Sequence, residues 1–214
     1  MSAYQPNRSG IIGALMVVVS GFMVFAGYGF AAAAEGASES QILRALTPSS
    51  KTRDLAPTPQ NTKQQSFINS LRSPNKTRSL TIDERQEVAV IAKEKPSIDL
   101  EIYFDYNSAD IASKAVPDLM NLGRALTDPQ LEGSVFLLSG HTDGKGGQEY
   151  NLQLSERRAQ AVKEFLAQKF RISNDSLVAT GYGKEQLKNP ANPFAAENRR
   201  VQITNLQTKQ QAGK

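Results

Sequence analysis

The chain has 214 residues, a formal net charge of +4, no cysteine and a single histidine. Without cysteine, the chain has no disulfides, no thiolate metal sites and no cysteine to accept a lipid. The positive charge lies in residues 35–80, where seven Lys/Arg face three Asp/Glu, whereas residues 97–207 carry twelve Lys/Arg against fourteen Asp/Glu. A nucleic-acid-binding domain needs a basic folded face with aromatic residues, so this distribution argues against nucleic acid as a partner.

Residues 1–34 have the pattern of a signal peptide or a membrane anchor. Arg8 is the one charged residue before Glu35, and residues 11–34 are apolar or small and end in four alanines. A basic residue, an apolar core and a small-residue end are typical of a cleaved signal peptide. The run also exceeds the roughly 20 residues that span a bilayer, so a retained anchor remains the alternative. In both cases we expect the rest of the chain to lie outside the cytoplasm.

Residues 35–80 are predicted to form a disordered polar linker. They are rich in Ser, Thr, Pro, Asn, Gln and Lys, and a segment of this composition buries too little apolar surface to offset the entropy of ordering. Two apolar groups, Ile42-Leu43-Leu46 and Phe67-Ile68-Leu71, are expected to form short sticky turns. The alternative to a purely solvated linker is that its basic side chains contact anionic lipid or an envelope polymer.

Residues 81–96 are predicted to form a short helix and a connector. Thr81 and Glu84 have the spacing of a capping box, in which each side chain bonds to the other residue's backbone N–H. The helix is expected to run through Ala92 and to end before Pro96, because the residue that precedes a proline avoids helical backbone.

Residues 97–206 are predicted to form an α/β sandwich with the order β-α-β-α-β-β and with both helices on one face of the sheet. Apolar periodicity of two indicates strands, and periodicity of 3.6 indicates helices. The predicted elements in chain order are a half-buried strand at 98–104, a helix at 116–126, a central strand at 135–138, a helix at 150–169, a strand at 177–180 and a strand at 201–204. Residues 207–214 are expected to be a tail.

Arg158 lies within the apolar stripe of the predicted 150–169 helix, one turn after Leu154 and one turn before Val162. A guanidinium keeps its proton, so a buried arginine needs an anion beside it. Asp143 follows Gly140 in a glycine-rich loop just upstream. Two interpretations remain open here: an internal salt bridge that fixes the loop to the helix, or a pair that binds a ligand.

The sequence offers little for catalysis or metal binding. One histidine, His141, and no cysteine make a poor set of metal ligands, so we expect neither a metal nor another cofactor. The glycines at 144, 146 and 147 lack the Lys-Ser/Thr ending of a phosphate-binding loop. No serine or cysteine accompanies a histidine–carboxylate pair, which argues against a hydrolase. We therefore expect a binding module and not an enzyme.

Several motifs occur together in one order: Phe104-Asp105 with Asn107, Gly140-His141-Thr142-Asp143, Tyr150-Asn151 with Leu154-Ser155 and Arg158-Ala159, Gly181-Tyr182-Gly183, and Asn198-Arg199-Arg200-Val201. Over residues 97–206 this combination resembles the OmpA C-terminal domain family, the peptidoglycan-binding module of Gram-negative envelopes. The resemblance implies that the ligand is the peptide stem of peptidoglycan, chiefly its diaminopimelate residue.

The same resemblance assigns the family's paired Asp and Arg to Asp143 and Arg158. The other predicted ligand-binding residues are Thr142, Asn151, Asp105, Asn107 and Arg200. Turn formation is an equally good interpretation of Asp105 and Asn107. Of Arg199 and Arg200, one is expected to point into solvent and the other to border the pocket. The chain departs from the family at Ala195-Ala196-Glu197, which puts the contribution of that loop in doubt.

The resemblance implies a protein of the periplasm, associated with the cell wall and the outer membrane, that attaches to peptidoglycan without covalent bonds and stabilises the envelope. Membrane association is expected, and homodimer formation is left open. The alternative is an inner-membrane-anchored, MotB-like protein that grips the wall. Residues 11–34 contain no Asp or Glu, and the absence of a membrane carboxylate argues against a proton-driven stator.

Overall fold

The computed structural model describes residues 36–48, 59–72, 79–104 and 107–207. The predicted signal or anchor (1–34) and the tail beyond residue 207 lie outside the described residues. Within the four described ranges, no helix is both long enough and apolar enough to cross a membrane.

A four-stranded mixed sheet forms the centre of the fold. Its strands are β1 (Ser97–Leu100), β2 (Val135–His141), β3 (Leu177–Gly183) and β4 (Val201–Gln207), and their order across the sheet is β1-β4-β2-β3. β4 pairs antiparallel with both β1 and β2, whereas β2 and β3 are parallel. β4, the last strand in the described ranges, therefore lies inside the sheet, between two strands that precede it.

Five helices accompany the strands in the described ranges: α1 (Glu39–Leu46), α2 (Pro59–Leu71), α3 (Ile82–Ala92), α4 (Val116–Leu126) and α5 (Gln148–Phe170). From residue 97 onward the order is the predicted β-α-β-α-β-β, which confirms the fold class. α4 begins with Pro117 in its first turn, where a missing N–H costs nothing. Its apolar side and that of α5 share one core with β1, β4 and part of β2.

α1 differs from the predicted solvated linker. It begins at a capping box made by Ser38 and Gln41, and Ile42 and Leu46 are fully buried in the same core as α4 and α5. The side-chain amide of Asn205 on β4 donates to the Leu46 carbonyl at 2.9 Å. The apolar residues predicted as a sticky turn are thus the buried face of a helix, because the sheet supplies the surface that the segment lacks by itself.

α2 and α3 pack on the other face of the sheet. Together with Leu80 they bury Ile68, Leu71, Val88 and Ile91 against β2, β3 and β4. The prediction that helices cover one face holds for α4 and α5, but the helices that precede β1 cover the second face. The predicted capping box of α3 is confirmed: Glu84 N–H donates to Thr81 Oγ1 at 3.2 Å, and Thr81 N–H donates to Glu84 Oε2 at 2.9 Å.

Candidate functional site

The predicted site lies where β2 ends and α5 begins. Gly140 and Gly181 let α5 approach the sheet closely, because a Cβ at either position would collide with Ser155 on that helix. The Ser155 hydroxyl accepts a hydrogen bond from Gly183 N–H at 2.9 Å and donates to the Leu152 carbonyl at 2.8 Å. The helix is therefore fixed to the ends of β2 and β3, and with it every site residue that it carries.

The loop between β2 and α5 is held in one conformation. Asp143 Oδ1 accepts from Lys145 N–H at 3.1 Å, and Gly146 has a φ of 91°, which favours glycine. The buried Asn151 donates from its side chain to the Lys145 carbonyl at 2.8 Å. The resemblance assigns Asn151 to the ligand, and the contact that its side chain makes in this structure orients the loop.

Arg158 is half-buried on α5 and is held from the β1 side of the site. Its Nε donates to the Ser108 carbonyl at 3.0 Å, and its guanidinium carbon lies 4.8 Å from the centre of the Phe104 ring. Burial lowers the pKa of Arg158, while nearby Tyr150 and Asp143 act in the opposite direction. A guanidinium stays charged through such a shift, so the site presents a fixed positive charge.

Asp143 pairs with Arg199 instead of Arg158. Arg199 Nη1 lies 2.9 Å from Asp143 Oδ2, with side-chain exposures of 47% and 18% respectively. Among the described residues, no ion pair joins Asp143 to Arg158, although the two lie close enough for Asp143 to raise the pKa of Arg158. The site therefore holds two guanidinium groups and one carboxylate, and the internal bridge considered for Arg158 is not formed.

Arg200, the arginine chosen from the sequence, is buried and bonded elsewhere. Its Nε donates to Asp99 Oδ1 at 3.1 Å and its Nη1 donates to the Gln186 carbonyl at 3.4 Å. Burial acts to raise the pKa of Asp99, but Arg200 and Lys188 together lower it below the usual value. Arg199 takes the place of Arg200 in the candidate site.

Strand alternation predicts which of these two arginines lies on the side of the site. Successive side chains of an extended chain point to opposite faces. Arg199 shares its side with Val201 and Ile203, which face the core under α5. Arg200 falls on the opposite side, together with Gln202, and both of these side chains donate to Asp99 Oδ1.

The other predicted residues have mainly structural contacts. Thr142 is buried, and its N–H donates to the Gly183 carbonyl at 2.9 Å. Asn107 has a φ of 56° and directly precedes Ser108, so it shapes the turn that presents a carbonyl to Arg158. Asp105 lies outside the described residues.

His141 is the buried end of β2, beside the site. Its ring stacks on Tyr182, with centroids 5.5 Å apart and planes 25° from parallel. Burial lowers the pKa of His141 to about 3, and the positive charge of Arg200 adds to this effect. The imidazole is therefore neutral at physiological pH and belongs to the packing of the strand ends.

Comparison with known proteins identifies the family of this domain. Residues 103–200 match the model of the OmpA family. These residues form an OmpA-family domain. The resemblance stated from the motifs is thereby confirmed, and both Asp143 and Arg158 lie within the matched range.

Two relatives of the OmpA domain are curated envelope proteins. The chain is 37% identical over 103 residues to the peptidoglycan-associated lipoprotein of Legionella pneumophila, a match that covers 47% of this chain and 56% of the relative. It is 29% identical over 133 residues to outer membrane porin F of Pseudomonas aeruginosa, which covers 61% of this chain and 37% of the relative. The chain thus spans only part of the length of either relative. The names of these relatives are those of envelope proteins, in agreement with the predicted class.

Among solved structures, the peptidoglycan-associated lipoprotein from Burkholderia pseudomallei is similar to this chain. The two are 26% identical, with a TM-score of 0.41, and the match covers 53% of this chain and 92% of the other.

Proposed function

We propose that the OmpA domain binds the peptide stem of peptidoglycan through its diaminopimelate residue, and that the chain is a non-enzymatic protein that attaches to the cell wall. One observation carries the proposal. Arg158 is half-buried, and Ser108 and Phe104 fix its guanidinium near the carboxylate of Asp143. The described residues show no ion pair between Arg158 and Asp143, because Asp143 pairs with Arg199.

The free end of a diaminopimelate side chain carries one ammonium and one carboxylate. Arg158 uses its Nε for Ser108, and among the described residues its remaining donors have no hydrogen-bond partner, so they are available to a ligand carboxylate. A guanidinium binds a carboxylate through two parallel hydrogen bonds, a geometry that lysine does not reproduce. Asp143 accepts from the ligand ammonium.

Arg199 does not block this role of Asp143. Arg199 is about half exposed while Asp143 keeps only 18% of its side-chain surface accessible, so water screens this ion pair in part, and an ammonium that enters the site is expected to share the carboxylate with Arg199 or to displace it. Each hydrogen bond to a charged group contributes about 1.5–3 kcal/mol. Two or three such contacts give a modest affinity for one stem, and a polymer with many equivalent stems raises the effective affinity through local concentration.

We place the protein in the cell envelope, on the periplasmic side, where the polymer is found. The names of the relatives are those of an outer membrane porin and of peptidoglycan-associated lipoproteins. The MotB-like, inner-membrane-anchored alternative depends on residues 11–34, which lie outside the described residues.

Sedimentation with purified sacculi tests the proposal. The full chain in mild detergent is expected to sediment with the sacculi, and Asp143→Ala and Arg158→Ala are each expected to weaken binding at least tenfold, because each removes a charge-assisted contact. Free meso-diaminopimelate is expected to compete, and lysine to compete poorly, because lysine lacks the carboxylate at that end.

Arg157 supplies a matched control. It is an exposed arginine on the same helix, one position away from Arg158, and it faces solvent. Arg157→Ala removes the same net charge and is expected to bind as the wild type does. Equal weakening by Arg157→Ala and Arg158→Ala would show that only general charge attraction operates, and unchanged binding by both Asp143→Ala and Arg158→Ala would refute the site.

A further inference from the structure

Three exposed aromatic residues belong to segments that also contribute to the charged site or adjoin it. Among the described residues, the exposed large hydrophobic side chains include three aromatics, Tyr103, Tyr150 and Phe194. Tyr103 precedes Phe104, whose ring lies under Arg158, and Tyr150 lies in the first turn of α5. Phe194 belongs to the loop between β3 and β4. All three come from segments that meet at the site end of the sheet, whereas the exposed aliphatic residues Ile82 and Val90 lie on α3.

Phe194 has the most exposed of these rings, with 66% of its surface accessible. Exposure of apolar surface to water is unfavourable. A flexible loop would therefore tend to bury such a ring against the protein. The loop is not free to do so. The amide of fully buried Asn198 donates to the carbonyls of Asn192 and Pro193, each at 3.0 Å, and Ala195 N–H donates to the Asn192 carbonyl at 3.0 Å.

The same loop is joined to the charged site on both sides of Phe194. On one side, Gly144 N–H, the residue after Asp143, donates to the Pro193 carbonyl at 2.8 Å. On the other side, Arg199 forms the ion pair with Asp143. The backbone of Phe194 is therefore fixed beside Asp143, with its ring held in solvent.

We infer that Phe194 is an apolar contact for the saturated-carbon part of the ligand whose charged end is held at Asp143 and Arg158. Binding sites combine a few placed polar groups with apolar and aromatic surface, and the three ionised groups of this site lack such a surface among themselves. A peptidoglycan stem offers C–H surface next to its zwitterionic end, in methylene and methyl groups and in the faces of the attached sugar rings. The inference rests on the proposed function and adds a second contact to it.

Binding measurements on the full chain test this inference with three ligands: free meso-diaminopimelate, the stem tripeptide that contains it, and the same tripeptide on its disaccharide. Phe194→Ala is expected to weaken binding of at least one ligand about tenfold, a change of about 1.4 kcal/mol. Phe194→Tyr keeps the ring and is expected to bind as the wild type does. Ile82→Ala is the matched control, since Ile82 is equally exposed, at 70%, but lies on α3.

The three ligands identify the carbon surface that the ring contacts. If Phe194→Ala lowers the affinity for free diaminopimelate, the ring contacts the methylene chain of that residue. If the affinity first falls with the tripeptide, the ring contacts a neighbouring stem residue. If it falls only with the disaccharide ligand, the ring contacts a sugar. Wild-type affinity of Phe194→Ala for all three ligands overturns the inference and leaves the proposed function standing. Failure of the wild type to bind any ligand or sacculi overturns the proposed function, and the inference with it.

Discussion

Arg158 and Arg199 approach Asp143 from two different elements, and their different burial gives them different roles. Arg158 is partly removed from water and held by Ser108 and Phe104, so its position is set before any ligand arrives. Arg199 is about half exposed, and it is held at the site by its ion pair with Asp143. In the proposed complex, Arg158 provides the orientation and Arg199 is the group that moves.

His141 makes the stability of the domain depend on pH. Its pKa in the folded state is about 3, whereas in the unfolded chain it is about 6.5. Above pH 6.5 both states are neutral. As the pH falls from 6.5 towards 3, the unfolded chain gains a proton that the folded protein does not bind, so the free energy of unfolding decreases by about 1.4 kcal/mol per pH unit.

Urea unfolding at pH 7.5 and 5.5 measures this effect, because the chain has no other histidine and few other groups titrate in this window. The wild type is expected to lose about 1.4 kcal/mol between the two conditions. His141→Phe keeps a ring against Tyr182 and does not titrate, so its stability is expected to stay constant. The same loss in both proteins would assign the pH dependence to other groups.

At the scale of elements, α1 contributes buried side chains to the hydrophobic core. Its Leu46 is fully buried, and its last carbonyl receives the amide of Asn205 from the sheet. At its other end, Asn121 donates to the Ala37 carbonyl at 3.2 Å, and Arg124 forms an ion pair with Glu39 at 2.9 Å. The helix is therefore bonded to α4 and β4 along its whole length.

Leu46→Ala tests this placement. Removal of a fully buried leucine leaves a cavity, and we expect a loss of about 2–5 kcal/mol in the free energy of unfolding. Arg44→Ala, an exposed position on the same helix, is expected to change it by less than about 0.5 kcal/mol. Chemical denaturation followed by circular dichroism gives both values, and a Leu46→Ala protein as stable as the Arg44→Ala protein would show that α1 does not contribute to the core.

The sequence predicted the elements whose signals are local. The capping box at Thr81, the apolar run of β2 and the position of Arg158 on α5 follow from spacing alone. The burial of α1 and α2 does not, because their few apolar residues become stable only on surfaces made by α4 and the sheet, far away in the chain. Alternation favours Arg199 over Arg200, but the partner of Arg199 does not follow from it, because Asp143 lies 56 positions away on a different loop.

At the scale of the whole molecule, the folded unit begins well before the predicted domain boundary at residue 97. Helices that precede β1 pack on both faces of the sheet: α1 joins α4 and α5 on one face, and α2 and α3 cover the other. A chain that starts at Ser97 would expose Val135, Leu137, Val178 and Leu206 on one face and the seat of α1 on the other.

We therefore expect a fragment of residues 97–214 to be insoluble or strongly destabilised, and a fragment of residues 36–214 to fold. Apolar burial is the main stabilising contribution, and the shorter fragment loses it on both faces. Amide proton–nitrogen spectra and urea unfolding distinguish the two, with dispersed signals and a cooperative transition expected only for the longer fragment. Equal unfolding midpoints for both fragments would show that α1–α3 are dispensable.

The position of β4 also decides when the protein is able to fold during its synthesis. β4 is made after the other three strands of the sheet, yet β1 and β2 each need it as their neighbour. The bond from Asn205 to Leu46 joins residues 159 positions apart, so the surface on which α1 packs is also complete only after β4 has been made. Contacts between such distant residues form late, because a long loop must close first. The nascent sheet thus remains open until residues 201–207 have been synthesised, so the domain completes its core only after β4 has been made.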